Sequence, residues 1–192
     1  ERDQVFANAQ TGNMLLFGVN LSEGNFSVAM RYFLPVLAFA LGIALAEIVH
    51  KKDLNLLHWR QAAVLVEALI LLGVAFFPQN MNLLANSLTS FACGIQVESF
   101  RKIRGNGIAT TMCIGNMRSG TQNLCNYLQD RDIENLKKAL LYYGIIICFI
   151  CGAIIGNFFI KIFAEKAILC CSALLFFAFI LMFIDYEREK EQ

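Results

Sequence analysis

"ALLYYGIIICFICGAIIGNFFIKIF", from Ala139 to Phe163, carries no charge before Lys161. A helix rises 1.5 Å per residue, so roughly 20 such residues match the ~30 Å hydrocarbon core of a bilayer. A helix apolar on every face is either sunk in the core of a large protein or set in lipid. With 57% of the chain hydrophobic and 16% charged, lipid is the expected surrounding.

Four further stretches behave alike. Val28 to Val49, "VAMRYFLPVLAFALGIALAEIV", is apolar apart from its ends, with a kink expected at Pro35. Gln61 to Phe77 stops at Pro78, and a more polar run extends from Asn82 to Phe100. "AILCCSALLFFAFILMFI", Ala167 to Ile184, gives way at Asp185 to the charged tail "YEREKEQ". Composition agrees: 57% of residues are hydrophobic and 16% charged, against roughly 25% charged in soluble domains. The net charge of +1 gives no electrostatic basis for nucleic-acid binding. The expected fold is an all-α integral membrane protein, a multi-pass helical bundle in the plasma or inner membrane. Its first partner is the lipid bilayer, and a homo-oligomer is open to it.

Two polar segments interrupt the apolar pattern, "FANAQTGNMLLFGVNL" from Phe6 to Leu21 and "ATTMCIGNMRSGTQNL" from Ala109 to Leu124. Gly12-Asn13-Met14 matches Gly115-Asn116-Met117, and Asn20-Leu21 matches Asn123-Leu124, at one offset of 103. Beyond a seven-residue insertion, Ala29, Tyr32, Gly42 and Ala46 fall opposite Ala139, Tyr142, Gly152 and Gly156. The chain therefore reads as two internal repeats, 1–78 and 79–192, forming one membrane domain. Each repeat has a short polar helix carrying a Gly-Asn motif, followed by two apolar helices. The run 82–100 precedes the second polar segment, so the symmetry predicts one more transmembrane helix upstream of Glu1.

Whether the repeats are parallel or inverted depends on whether the polar segments cross the membrane. If they are re-entrant, Lys51, Lys52, Arg60, Arg101, Lys102, Arg104, Arg131, Lys137, Lys138, Arg188 and Lys190 share one side. Crossing segments weaken that bias, so the positive-inside rule leans towards inverted repeats. Small residues spaced by four, Ala38, Gly42 and Ala46, then Gly152 and Gly156, mark faces where helix backbones approach closely.

The candidate functional residues lie in the polar segments. On a helix, Asn13 and Asn20 share one face, as do Asn116, Ser119, Gly120 and Asn123. A buried amide without partners costs several kcal/mol in hydrocarbon, so these faces must meet water, a solute or other helices. Gly12 and Gly115 permit close approach or an irregular backbone. Glu67 stands between "AVLV" and "ALILL", and a carboxyl at that depth marks a functional site by default. Arg118 is its candidate partner. Cys148-x-x-Cys151 has redox or zinc spacing but lies within an apolar run, where cysteine behaves as a small hydrophobe. His50 and His58 flank a charged loop and read as interfacial, and Trp59 suits the aromatic belt. No metal, no cofactor and no catalytic constellation is expected.

"VFANAQTGNMLLFG" and "GIQVESFRKIRGNGIATTMCIGNMRSG" resemble the two signature regions of the YoaK family, uncharacterised multi-pass membrane proteins found mainly in bacteria. Thr11-Gly12-Asn13, Gly94-Ile95-Gln96 and Ala109-Thr110-Thr111 follow in order, and the resemblance covers essentially the whole chain. It implies roughly six membrane spans, the first upstream of Glu1, and a domain of unknown function. It supplies neither a reaction nor catalytic residues. The second copy reads Ile114-Gly115-Asn116, and the lost hydroxyl implies that the copies differ in any ligand contact.

The reading drawn from these residues is transport of a small polar solute or ion through a polar centre between the repeats. The residues that would line it are Thr11, Gly12, Asn13, Asn20, Gly115, Asn116, Arg118, Ser119, Asn123 and Glu67. The alternatives are a structural or partner-binding protein whose amides only cross-link helices, and a membrane enzyme acting on a lipid-soluble substrate.

Overall fold

The computed structural model describes residues 5–51, 59–103, 105–108 and 112–190. Within them the chain is all-α, with helices α1 (Gln10–Ser22), α2 (Phe26–Lys51), α3 (Trp59–Val74), α4 (Asn82–Ser99), α5 (Cys113–Asp130), α6 (Ile133–Phe163) and α7 (Ile168–Lys190). Both polar segments are helical, as α1 and α5. α7 continues past Ile184 into the charged tail, where Glu, Arg and Lys are good helix formers. The loop containing Lys52, Asp53 and His58, and the tripeptide Ala109-Thr110-Thr111, lie outside the described residues.

Local chemistry sets the breaks. Gly24 (φ +77°) turns the chain between α1 and α2, and the Asn25 carbonyl accepts the Ala29 N–H at 2.9 Å. Arg131 closes α5 in the left-handed region at φ 57°, its N–H donating to the Tyr127 carbonyl at 2.8 Å. Asp132 then starts α6 by accepting the Glu134 N–H at 2.9 Å. A 3-10 turn, Ala164–Ala167, separates α6 from α7.

One element goes beyond what the sequence predicts. The basic cluster after α4 forms a small antiparallel hairpin, β1 (Lys102–Ile103) with β2 (Asn106–Gly107). Gly105 at φ +77° makes the turn. Two residues per strand are too few for a period to show in the sequence.

The helices fall into two compact units. One comprises Glu1–Ser99 with Phe163–Gln192, and the other Phe100–Ile162. In the first unit the most extensive helix pair is α2 with α4; α1 packs on α2, and α3 on both α4 and α7. α2 runs helical through Pro35, which is buried. Its small-residue face is turned inward: Gly42 and Ala46 are buried, and Ala46 joins Ala63 and Ile95 in a cluster with Phe91. A Cβ on Gly42 would run into the Phe91 carbonyl oxygen, and one on Gly94 into the Phe39 carbonyl oxygen. The crossing is therefore reciprocal, backbone against backbone. α7 is fastened to α3 by two hydrogen bonds, Ser172 Oγ to the Ala68 carbonyl and Gln61 Nε2 to the Met182 carbonyl, each 2.8 Å.

In the second unit Gly120 of α5 lies against the two tyrosines of α6. A Cβ there would sit 3.2 Å from Tyr142 Cβ and 3.3 Å from the Tyr143 ring. The Thr121 and Tyr143 hydroxyls share a hydrogen bond of 2.8 Å, and Tyr142 donates to the Gly107 carbonyl at 3.0 Å.

Much of the exposed surface of α6 and of α7 is apolar. Ile147, Ile154 and Phe158 on α6 are about 60% exposed or more, and so are Leu174 and Phe177 on α7. Two helical runs, Phe26–Lys51 and Ile133–Met182, are long and apolar enough to cross a membrane.

Candidate functional site

The first Gly-Asn segment builds a local clamp. Asn13 is fully buried, and its side chain holds the backbone of Phe6, seven residues earlier, from both sides. Phe6 N–H donates to Asn13 Oδ1 at 3.0 Å, and Asn13 Nδ2 donates to the Phe6 carbonyl at 2.7 Å. The same Nδ2 donates to Gln10 Oε1 at 2.8 Å. An amide nitrogen has two protons, so both donors of Asn13 are committed. Folding the lead segment back in this way sets the Phe6 ring against Gly12, where a Cβ would come within 2.9 Å of the ring. Glycine at position 12 and asparagine at 13 thus act together to seat Phe6 against the start of α1.

Gln10 carries the network to another helix. Its Nε2 donates to the Ala7 carbonyl at 2.8 Å and to Ser90 Oγ on α4 at 3.3 Å. Ser90 belongs to a buried polar line along α4, with Asn82 and Asn86 at the preceding four-residue steps. The sequence marks this run as more polar without singling out the line itself. The four-residue spacing of Asn82, Asn86 and Ser90 was the available signal. Thr11 is exposed, and Asn20 is half-buried with Nδ2 turned back onto the Leu16 carbonyl at 2.8 Å.

Glu67 lies on α3 and is only 5% exposed. Its Oε2 is buried without a hydrogen-bond partner among the described residues. The described residues around it supply thiols and no cation: Cys93 of α4 and Cys171 of α7 lie within range of its charge. Arg118, its expected partner, is exposed on α5. Among the described residues no group of three His, Cys, Asp or Glu side chains could hold a metal ion.

On α5, Asn116 and Gly120 are buried while Ser119 and Asn123 are half-buried, so the four define one inward face. Asn123 Nδ2 turns back to the Ser119 carbonyl at 2.8 Å, the same i−4 bond that Asn20 makes on α1. Gly115 differs from Gly12: it is exposed, with nothing within 4 Å of a Cβ. At the end of α2, the rings of His50 and Trp59 lie 4.4 Å apart, with the Arg60 guanidinium 5.8 Å from the Trp59 ring.

The motif that shapes α1 also places the chain among known sequences. Residues 1–181 match the family described as "Protein of unknown function (DUF1275)". The chain belongs to this family. The resemblance to the YoaK proteins is thereby borne out, since they fall within it. No curated protein and no solved structure matches the chain. Family membership brings no activity with it, so function has to be argued from the buried polar groups.

Proposed function

We propose that the chain is a multi-pass membrane transporter for a small polar solute or ion, with its polar centre among α1, α3, α4 and α7. In this reading the hydrogen-bonded group Gln10, Asn13 and Ser90 would line one side and Glu67 another. Glu67 carries the reading. A buried carboxyl oxygen with no donor costs about 1–3 kcal/mol or more, and nothing in helix packing requires it. Such an oxygen asks for a donor, so the transported or coupled species is a proton, a cation or a solute bearing N–H or O–H groups. The exposed apolar side chains of α2, α6 and α7 support multiple membrane crossings, because water would not tolerate so much aliphatic surface. Within its own unit, α5 carries a separate polar face with Asn116, Ser119 and Asn123. The order of polar helix and apolar helix pair, repeated along the chain, matches a duplicated transporter unit.

The test is flux into proteoliposomes loaded with a pH indicator or with labelled small polar solutes. Wild type should carry protein-dependent flux. Glu67→Gln should lower it at least about tenfold, equivalent to 1.4 kcal/mol. Absence of protein-dependent flux for protons, alkali cations and small polar solutes would contradict the proposal.

A second reading, in which the amides only fasten helices, is favoured by one observation: the amide of Asn13 has no donor left for a solute. The two readings part at Asn13→Ala. Cross-linking alone predicts that stability falls, whereas a solute wall also predicts altered apparent affinity in the protein that remains folded.

A further inference from the structure

The backbone of Phe6 and Ala7 occupies the polar atoms at the start of α1 that a solute would need. Asn13 presents an acceptor and a donor side by side, and Phe6 answers with its own N–H at 3.0 Å and carbonyl at 2.7 Å. Gln10 Nε2 holds the Ala7 carbonyl at 2.8 Å and also donates to Ser90 Oγ on α4 at 3.3 Å. A further Asn13 bond, to Gln10 Oε1, ties the two amide side chains together. All three side chains are buried and neutral. Towards the segment they offer one acceptor and two donors, the set that reads a carboxamide.

Helix capping does not account for the arrangement. Ala9 stands at the cap position of α1 and makes no side-chain capping bond. Asn13 lies a turn inside the helix, and its oxygen takes the N–H of Phe6, outside the helix, rather than one of the first N–H groups of α1. Among the described residues, the other hydrogen bonds of Phe6–Ala9 are local: the Asn8 carbonyl accepts from Gln10 N–H and the Ala9 carbonyl from Gly12 N–H, each at 3.0 Å. The Phe6 ring rests on Gly12 and is 47% exposed, so lifting it gives up only part of an aromatic side chain's burial. A solute with the same polar groups replaces the bonds to Asn13 one for one.

We infer that Asn13 and Gln10, with Ser90 holding Gln10 in place, form a binding site for a small neutral solute of the carboxamide or urea type, closed in this structure by the Phe6–Ala7 backbone. The solute's adjacent N–H and carbonyl take the place of those of Phe6 on Asn13, and the segment leaves as the solute enters. A neutral lining disfavours carboxylates and ammonium ions, whose charge would be buried there uncompensated. The inference rests on the reading in which this group faces a solute, and it answers how Asn13 comes to have a donor to spare.

A thiol reporter on the segment tests it without any flux. On a cysteine-free background, Ala7→Cys is labelled with a water-soluble maleimide in detergent-solubilised protein. Acetamide or urea should raise the labelling rate saturably, by at least about threefold, because a ligand of the open form shifts the population towards it. Acetate, which is charged, and N,N-dimethylacetamide, which has no N–H, should leave the rate unchanged. Adding Phe6→Ala loosens the segment without touching the polar atoms, so the acetamide midpoint should fall by at least about threefold. Adding Asn13→Ala should give fast labelling that acetamide no longer changes. If that variant does not fold, the Phe6→Ala comparison still decides. The inference is overturned if no solute changes the rate, if acetamide and N,N-dimethylacetamide raise it alike, or if the midpoint ignores Phe6→Ala; the segment is then a fixed part of the fold. A saturable acetamide response with no flux contradicts the transport proposal alone. Carboxamide flux with position 7 unresponsive contradicts this inference alone.

Discussion

Two stretches of this chain share a few residues at like spacing and have unlike surroundings. In α1 and α2 the pattern is filled: Phe6 lies on Gly12, Asn13 clamps Phe6, and Gly42 receives α4. In α5 and α6 the matching glycines, Gly115 and Gly152, meet nothing within 4 Å. A glycine in a helix therefore does not announce its role by its spacing. What fixes the role is whether another element reaches it, and in the first stretch that element is a phenylalanine ring or a facing backbone.

Bulk added at matching positions should separate the two stretches most strongly. Gly42→Ile drives a side chain into the Phe91 carbonyl, and overpacking against backbone should cost about 3 kcal/mol or more. Gly152→Ile should change stability by no more than about 0.5 kcal/mol. Thermal unfolding in detergent, read by helical circular dichroism, measures both. Equal losses at the two sites would mean that α6 is packed as tightly as α2.

Next in size is the clamp. Asn13→Ala leaves the Phe6 N–H and carbonyl and the Gln10 amide oxygen short of partners, and should cost about 2–3 kcal/mol. Asn20→Ala removes only a bond to its own helix and should cost under about 0.5 kcal/mol. Limited proteolysis of the segment before α1 gives a second readout, since only Asn13→Ala should expose it. The smallest contrast is one of sign. Gly12→Ala displaces the Phe6 ring and should destabilise by about 1 kcal/mol, whereas Gly115→Ala should stabilise α5 by about 0.5–1 kcal/mol through helix propensity.

Much of the fold was legible because long, nearly uncharged runs stand out in a sequence: 28–49, 61–77 and 82–100 correspond to α2, α3 and α4 within a few residues, and 139–163 to α6, which starts earlier at Ile133. The packing face of α2 was legible for the same reason, since Ala38, Gly42 and Ala46 recur at one helical spacing. The site was less so. That Asn13 would hold Phe6 depends on a fold-back of the segment before α1, and no period encodes a fold-back. The bond from Gln10 to Ser90 joins residues 80 apart in sequence, and a single polar residue does not reveal its partner. The isolation of Glu67 could be read from its flanking residues. That no described cation stands beside Oε2 needed the helix neighbours in place.

A transport role requires Glu67 to face a path that solutes reach from water. Glu67→Cys on a cysteine-free background, in sealed vesicles, should react with a small water-soluble thiol reagent, and the transported species should slow that reaction. A thiol at position 67 that resists water-soluble reagents while reacting with lipid-soluble ones would contradict that role.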